Sequence, residues 1–228
     1  MVEETLMTTN PDLASANSTT QAGPSPDRDH IREIRQAIEN WAVWRDAGDW
    51  ERFVTLWRND GHMSATWFQG SAVEFAQVSR DGVDNGVSIL HFLGGCTVDQ
   101  KDNRAVAQTK MTISQRGVVH GVLVDVLCTG RFYDFFDFTD DRWLLVRRQP
   151  IYEKDRMDPV EPSATLTLDQ ERLHSLPEGY RHLAYLQQES GFITTHRDLP
   201  GLSGASLQRL YDDGDRWLAG STSPGSLS

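Results

Sequence analysis

Apolar residues recur at helical spacing early in the chain: Ile31, Ile34, Ile38, Trp41 and Ala42 make one stripe. Asp27 or Asp29 is placed to cap that helix, and Gly48 ends it. Asp49 caps a short second helix over "WERFVTLWRND", which stops before Gly61. "HMSATWF" alternates weakly and predicts a strand. A third helix is expected from about Ser71 to Arg80, stopped by Gly82. From residue 87 the texture changes. "VSILHFLGGCTVDQ", "NRAVAQTKMTISQR", "VVHGVLVDVLCTGRFYDFFDF" and "RWLLVRRQPIYEKD" are rich in β-branched and aromatic residues. "KDN", "RG" and "TDD" separate them as turn signals. Four strands with short connections predict an antiparallel meander. Helix, helix, strand, helix and then strands is an α+β order, a curved sheet with helices packed on one face.

Outside this core the chain is polar. Residues 1–26 are rich in Thr, Ser, Asn and Pro and predict a disordered leader. Residues 27–158 are expected to form one α+β domain, and "DPVEP" begins a linker. Residues 159–220 predict a helical extension, with helices from about Pro177 to Glu189 and from about Ser203. Neither is long enough to fold alone, so the extension packs on the core or on a neighbouring subunit. Residues 221–228 again predict disorder.

Composition narrows the partners. The formal net charge of −11 repels phosphate backbones, so nucleic acid is not an expected partner. No apolar run approaches the ~18 residues of a membrane span, and the start of the chain lacks the basic and apolar regions of a secretory signal. Cys96 and Cys128 stand in unrelated contexts and read as reduced thiols, which points to the cytoplasm. There is no phosphate-cradling loop, dinucleotide fingerprint, His-Glu-x-x-His helix or Cys-x-x-Cys pair. His30, His62, His91, His120, His174, His182 and His196 are scattered singly, so spacing gives no support to a metal site. Chemistry, if present, falls to side chains alone.

His91 stands out. On a strand it shares a face with Ile89 and Leu93, and "SILHFLGG" is otherwise apolar. It is either a satisfied core residue or a general base in an apolar pocket, and a base needs a carboxylate to orient its ring. Asp46 lies on the edge of the first helix's stripe, close to the helix end, where a negative charge is mildly unfavourable. Position alone leaves it open between a surface charge and that orienting carboxylate.

"IREIRQAIENWAVWRDAGDWERFVTLWRNDGHM", "ILHFLGGCTVDQKDNRAVAQTKMTI" and "GRFYDFFDFTDDRWLLVRRQPIYEKD" together resemble the nuclear transport factor 2-like superfamily, and within it the SnoaL-like branch. The resemblance covers roughly residues 28–156. It implies a cone: a strongly curved mixed sheet wrapped by three helices around a deep apolar pocket, here with a helical C-terminal extension. Its dehydratase- and dehydrochlorinase-type lyases pair an Asp at the end of the first helix with a His on the long strand, positions that correspond to Asp46 and His91. Trp41, Trp44, Trp67, Tyr133, Arg148 and Tyr152 are the expected substrate-binding residues. Arg148 has a second reading, as a partner of acidic surface residues. The implied activity is a cofactor-independent lyase. It would remove water, halide or formaldehyde from a small hydrophobic compound, aromatic or polyketide, with no metal or other cofactor. An isomerase or cyclase on the same scaffold, or a non-catalytic binding or assembly module, is the alternative. A homo-oligomer is expected, a trimer before a dimer.

Overall fold

The Asp29 carboxylate accepts the backbone N–H of Arg32 and so starts helix α1 (His30–Asp46). Asp27, the other candidate cap, lies outside the residues that the computed structural model describes, 28–194 and 199–225, as do the expected leader and His196. The stripe on α1 is buried as expected at Ile34, Ile38, Trp41 and Ala42, and it continues to Arg45. Gly48 takes a positive φ of 70° and reverses the chain. Asp49 then caps α2 (Trp50–Val54).

α2 is shorter than its pattern predicts. Leu56 C=O accepts the N–H of Leu145, so the chain is drawn into the sheet and β1 (Trp57–Ser64) begins five residues before the expected strand. β2 (Gln69–Ser71) pairs back on β1. α3 (Ala72–Asp84) opens with a reciprocal Ser71–Glu74 capping box. It runs through Gly82 and ends at Asn85–Gly86, since an isolated glycine weakens a helix without stopping it.

Four long strands follow: β3 (Ser88–Lys101), β4 (Arg104–Val119), β5 (Val122–Thr139) and β6 (Arg142–Pro159). β4 continues through Arg116–Gly117, read from sequence as a turn. The reversal falls at His120–Gly121, where φ values of 49° and 81° suit a two-residue hairpin turn. The sheet order is β2-β1-β6-β5-β4-β3. All pairs are antiparallel except β1 with β6, so the sheet is mixed.

α1, α2 and α3 pack on the inner face of the curved sheet, around Trp41, Phe53 and Phe75. The extension contributes α4 (Gln170–Ser175), a 3-10 turn (Glu178–Tyr180), α5 (Arg181–Glu189) and α6 (Ala205–Leu218). α5 joins the inner layer. α6 packs on the outer face, where Leu210 and Trp217 cover Tyr133, Phe135 and Val146. Helices therefore lie on both faces, one face more than the sequence pattern predicts.

Candidate active site

β3 is an edge strand, and its open edge runs beside α1. Backbone groups on such an edge need partners, and α1 supplies them. Arg45 Nη1 donates to Ile89 C=O (3.2 Å), Asp46 Oδ2 accepts the N–H of His91 (2.5 Å), and Arg35 Nη2 donates to Cys96 C=O (2.5 Å). Contacted residues switch from odd to even numbers across the register shift between Leu93 and Cys96, at Gly94–Gly95.

His91 turns its ring inward, with Nδ1 2.8 Å from Asp46 Oδ1. An ionised carboxylate only accepts, so Nδ1 carries the proton and Nε2 keeps a lone pair. No described residue hydrogen-bonds Nε2. The side chain is 7% exposed. Trp41 meets the ring edge-on at 5.2 Å, and Phe132 lies 6.2 Å away. Burial pushes the His91 pKa below the ordinary histidine value. The hydrogen bond to Asp46 opposes this, and the nearby Arg45 and Arg148 charges reinforce it. At neutral pH the imidazole is thus neutral, oriented, and in its proton-accepting form.

His91 lines a cavity between α1, α3, the sheet and α5. Trp41, Phe75, Ile113 and Phe132 make its walls largely apolar. Its void is about 30 Å³, far below the ~300 Å³ of a small-molecule site. A ring compound enters only when the walls yield. Among the described residues no group of three or more His, Cys, Asp or Glu is placed to hold a metal ion. None of the described helices is long and apolar enough to cross a membrane.

Of the residues expected to bind substrate, Trp41, Trp67 and Tyr152 line the cavity with His91; Trp44, Tyr133 and Arg148 do not. Trp44 lies on the half-buried side of α1, under the Arg52 guanidinium at 5.3 Å. Tyr133 follows inward-facing Phe132, so alternation sends it to the outer face, against Tyr211 of α6. Arg148 is fully buried. Its Nε and Nη2 each donate to Asp134 at 2.7 Å, and the guanidinium lies 4.2 Å from both the Trp41 and Phe132 ring centres. Its acidic partner is therefore in the core and not on the surface.

Arg45, Thr66, Gln115 and Gln187, none of them an expected site residue, also line the cavity. Two carried a signal. Arg45 continues a buried apolar stripe, and Gln115 interrupts the inward alternation Ala105, Ala107, Thr109, Met111, Ile113 of β4.

Residues 27–149 match the family model of the SnoaL-like domain. The chain belongs to this SnoaL-like family. It is 34% identical over 203 residues to an uncharacterised protein of Emericella nidulans, spanning 82% of this chain and 85% of that one. It is 32% identical over 198 residues to Pea pathogenicity protein 2 of Fusarium vanettenii, with the same shares covered. Both matches take in more of the chain than the SnoaL-like model does. Among solved structures, one is a Novosphingobium aromaticivorans protein provisionally assigned as a scytalone dehydratase. It is similar over 59% of this chain and 95% of its own, at 15% identity and a TM-score of 0.48. An NTF2-like protein with a cystatin-like fold from the same organism is 25% identical over 60% of this chain and 85% of its own, with a TM-score of 0.42.

Proposed function

We propose that this SnoaL-like chain is a lyase that needs no cofactor, with His91 as general base and Asp46 as its orienting carboxylate. One observation carries the reading: a buried imidazole bonded through Nδ1 to a carboxylate, its Nε2 unpartnered, on the wall of a largely apolar cavity. Nε2 takes a proton from carbon or hydroxyl, and Asp46 stabilises the imidazolium. The bond to the leaving group then breaks. The imidazolium returns its proton to that group or to the product, which releases water, halide or formaldehyde. The aromatic wall selects a small hydrophobic compound, aromatic or polyketide. Trp41, Trp67 and Tyr152 are the wall residues assigned to binding it. A homo-oligomer, trimer before dimer, belongs to the same proposal and is read by light scattering.

The test is a panel of hydroxylated and halogenated aromatic and polyketide-type compounds, incubated in D2O and followed by mass spectrometry. Wild type is expected to release a small fragment from at least one compound, and His91→Asn to lose that turnover. Deuterium gained without loss of a fragment marks an isomerase instead. No turnover of any compound, or full turnover by His91→Asn, refutes the proposal.

A further inference from the structure

The cavity has a polar end built by two layers of the fold. Thr66 Oγ1 donates to Gln187 Oε1 at 2.6 Å, and Gln187 Nε2 donates to Gln115 Oε1 at 3.2 Å. Thr66, Gln115 and Gln187 are all buried, and all three line the cavity. Gln187 comes from α5, outside the SnoaL-like match. The Thr66 hydroxyl takes the oxygen end of Gln187, whose nitrogen end takes the oxygen end of Gln115. The Gln115 amide nitrogen is left over, with no hydrogen-bond partner among the described residues. That nitrogen lines the cavity without a protein acceptor, so an acceptor brought in by a ligand gains a hydrogen bond there.

The register locates this donor relative to the base. His91 faces Ile113 on β4, and Ile89 faces Gln115. His91 and Gln115 are therefore diagonal neighbours on one face, about 7–8 Å apart at the backbone. Two side chains of their length, converging from that separation, reach neighbouring atoms of one small molecule.

We propose that Gln115 is the specificity residue of this cavity. Its amide nitrogen donates to a carbonyl oxygen of the substrate, close to the atom that gives its proton to His91. Gln187 is a positioning residue that sets which end of Gln115 faces the ligand, so α5 completes the subsite. The substrate class is thereby narrowed to small hydrophobic compounds bearing a ketone or similar acceptor-only oxygen. The inference rests on the lyase reading for its purpose, although its test needs no turnover.

The probes are 4-hydroxyacetophenone and 4-ethylphenol, which differ in a carbonyl against a methylene, titrated into the full chain by calorimetry. Wild type is expected to prefer the ketone by about five- to tenfold, the worth of one hydrogen bond. Gln115→Leu should bring the ratio to about one while 4-ethylphenol still binds. Gln115→Glu keeps the shape and presents oxygen in place of the donor, so the ratio should fall below one. Gln187→Leu should reduce the ratio without abolishing binding of 4-ethylphenol, which a purely structural role would not do. His91→Asn should keep the wild-type ratio, so a failure of the base assignment and a failure of this subsite are seen separately. A wild-type ratio near one, no binding of either probe, or a preference that survives Gln115→Leu overturns the proposal.

Discussion

Replacing Asp46 by Asn tests the dyad at a single atom. Asp46 accepts two N–H groups from His91, the backbone N–H at 2.5 Å and Nδ1–H at 2.8 Å, and a longer bond from Arg45 Nη1 at 3.4 Å. A carboxamide of the same shape has one accepting oxygen and one donating nitrogen. The backbone N–H and the Arg45 guanidinium can only donate, and the backbone bond at 2.5 Å is much shorter than the Arg45 bond at 3.4 Å, so the oxygen goes to the backbone N–H and the amide nitrogen faces Nδ1. The ring must then offer its lone pair at Nδ1 and carry its proton on Nε2. The atom that accepted a proton in the cavity becomes a donor. General-base catalysis is worth roughly 10²–10⁴ in rate, or about 3–5 kcal/mol at 1.36 kcal/mol per tenfold. Asp46→Asn should lose that factor in kcat with little change in KM for any compound turned over. The titration moves too. Burial already holds the His91 pKa down against the pull of Asp46, so removing the carboxylate lowers it further. A histidine with a depressed pKa stabilises the fold above the unfolded value of about 6.5, and that contribution is lost as pH falls toward the folded pKa. In Asp46→Asn the loss should extend to lower pH. Long-range ¹H–¹⁵N correlation of labelled imidazoles reads both tautomer and titration without any substrate. Wild-type His91 with its proton on Nε2, or an Asp46→Asn protein with unchanged tautomer and titration, would refute the reasoning.

Three further outcomes follow from the packing. Arg148→Met leaves the Asp134 carboxyl fully buried without its partner, so urea unfolding should show a loss of about 3–5 kcal/mol. Asp134→Leu added to it should recover most of that, and the His91 titration should rise because one repelling charge is gone. At Gly214 an added Cβ would sit 2.0 Å from the Tyr133 hydroxyl; Gly214→Ala should cost about 1–3 kcal/mol, and a second change, Tyr133→Phe, should relieve part of it in thermal melts. Tyr180 gives α5 no side-chain cap, and Asp155 of β6 accepts the Leu183 N–H at 2.8 Å in its place while pairing with His182. Asp155→Ala should therefore lower stability by about 1–2 kcal/mol, with faster amide exchange concentrated in α5.

The sequence made the order of elements, the inner face of α1 and the inward position of His91 readable, because each rests on local periodicity. Trp44 and Tyr133 lie away from the cavity, and an aromatic residue does not by its type show which cavity, if any, its face of the element meets. Tyr133 is the clearer case, since the strand's own alternation already opposes it to Phe132. Arg148 could not be placed from its surroundings in sequence, because its partner Asp134 is a cross-strand neighbour fixed only by the β5–β6 register. The Gln115–Gln187 link joins residues 72 positions apart. Of the two, only Gln115 carries a local sign, as a polar residue on a buried strand face, and a buried amide is a question about partners that a single element cannot answer.

The place of the dyad in the sheet has a physical reason. Asp46 is held half-buried by three donors, and one of them is a backbone N–H. On β4, β5 or the paired part of β6 such a donor is already taken by a neighbouring strand. Only an edge strand has spare N–H groups on one side, and β3 is the long edge strand of this sheet. The same carboxylate that orients the imidazole therefore also caps an exposed edge, and Arg45 does likewise at Ile89 two residues earlier. Edge protection and ring orientation are thus one set of contacts. Strand parity ties them together: the residue whose N–H points to α1 also turns its side chain into the cavity. A general base on β3 therefore has its orienting carboxylate within reach from the last turn of α1. The odd parity of His91 is kept relative to the β3–β4 hairpin by the irregularity at Gly94–Gly95, where two residues without side chains absorb the extra position.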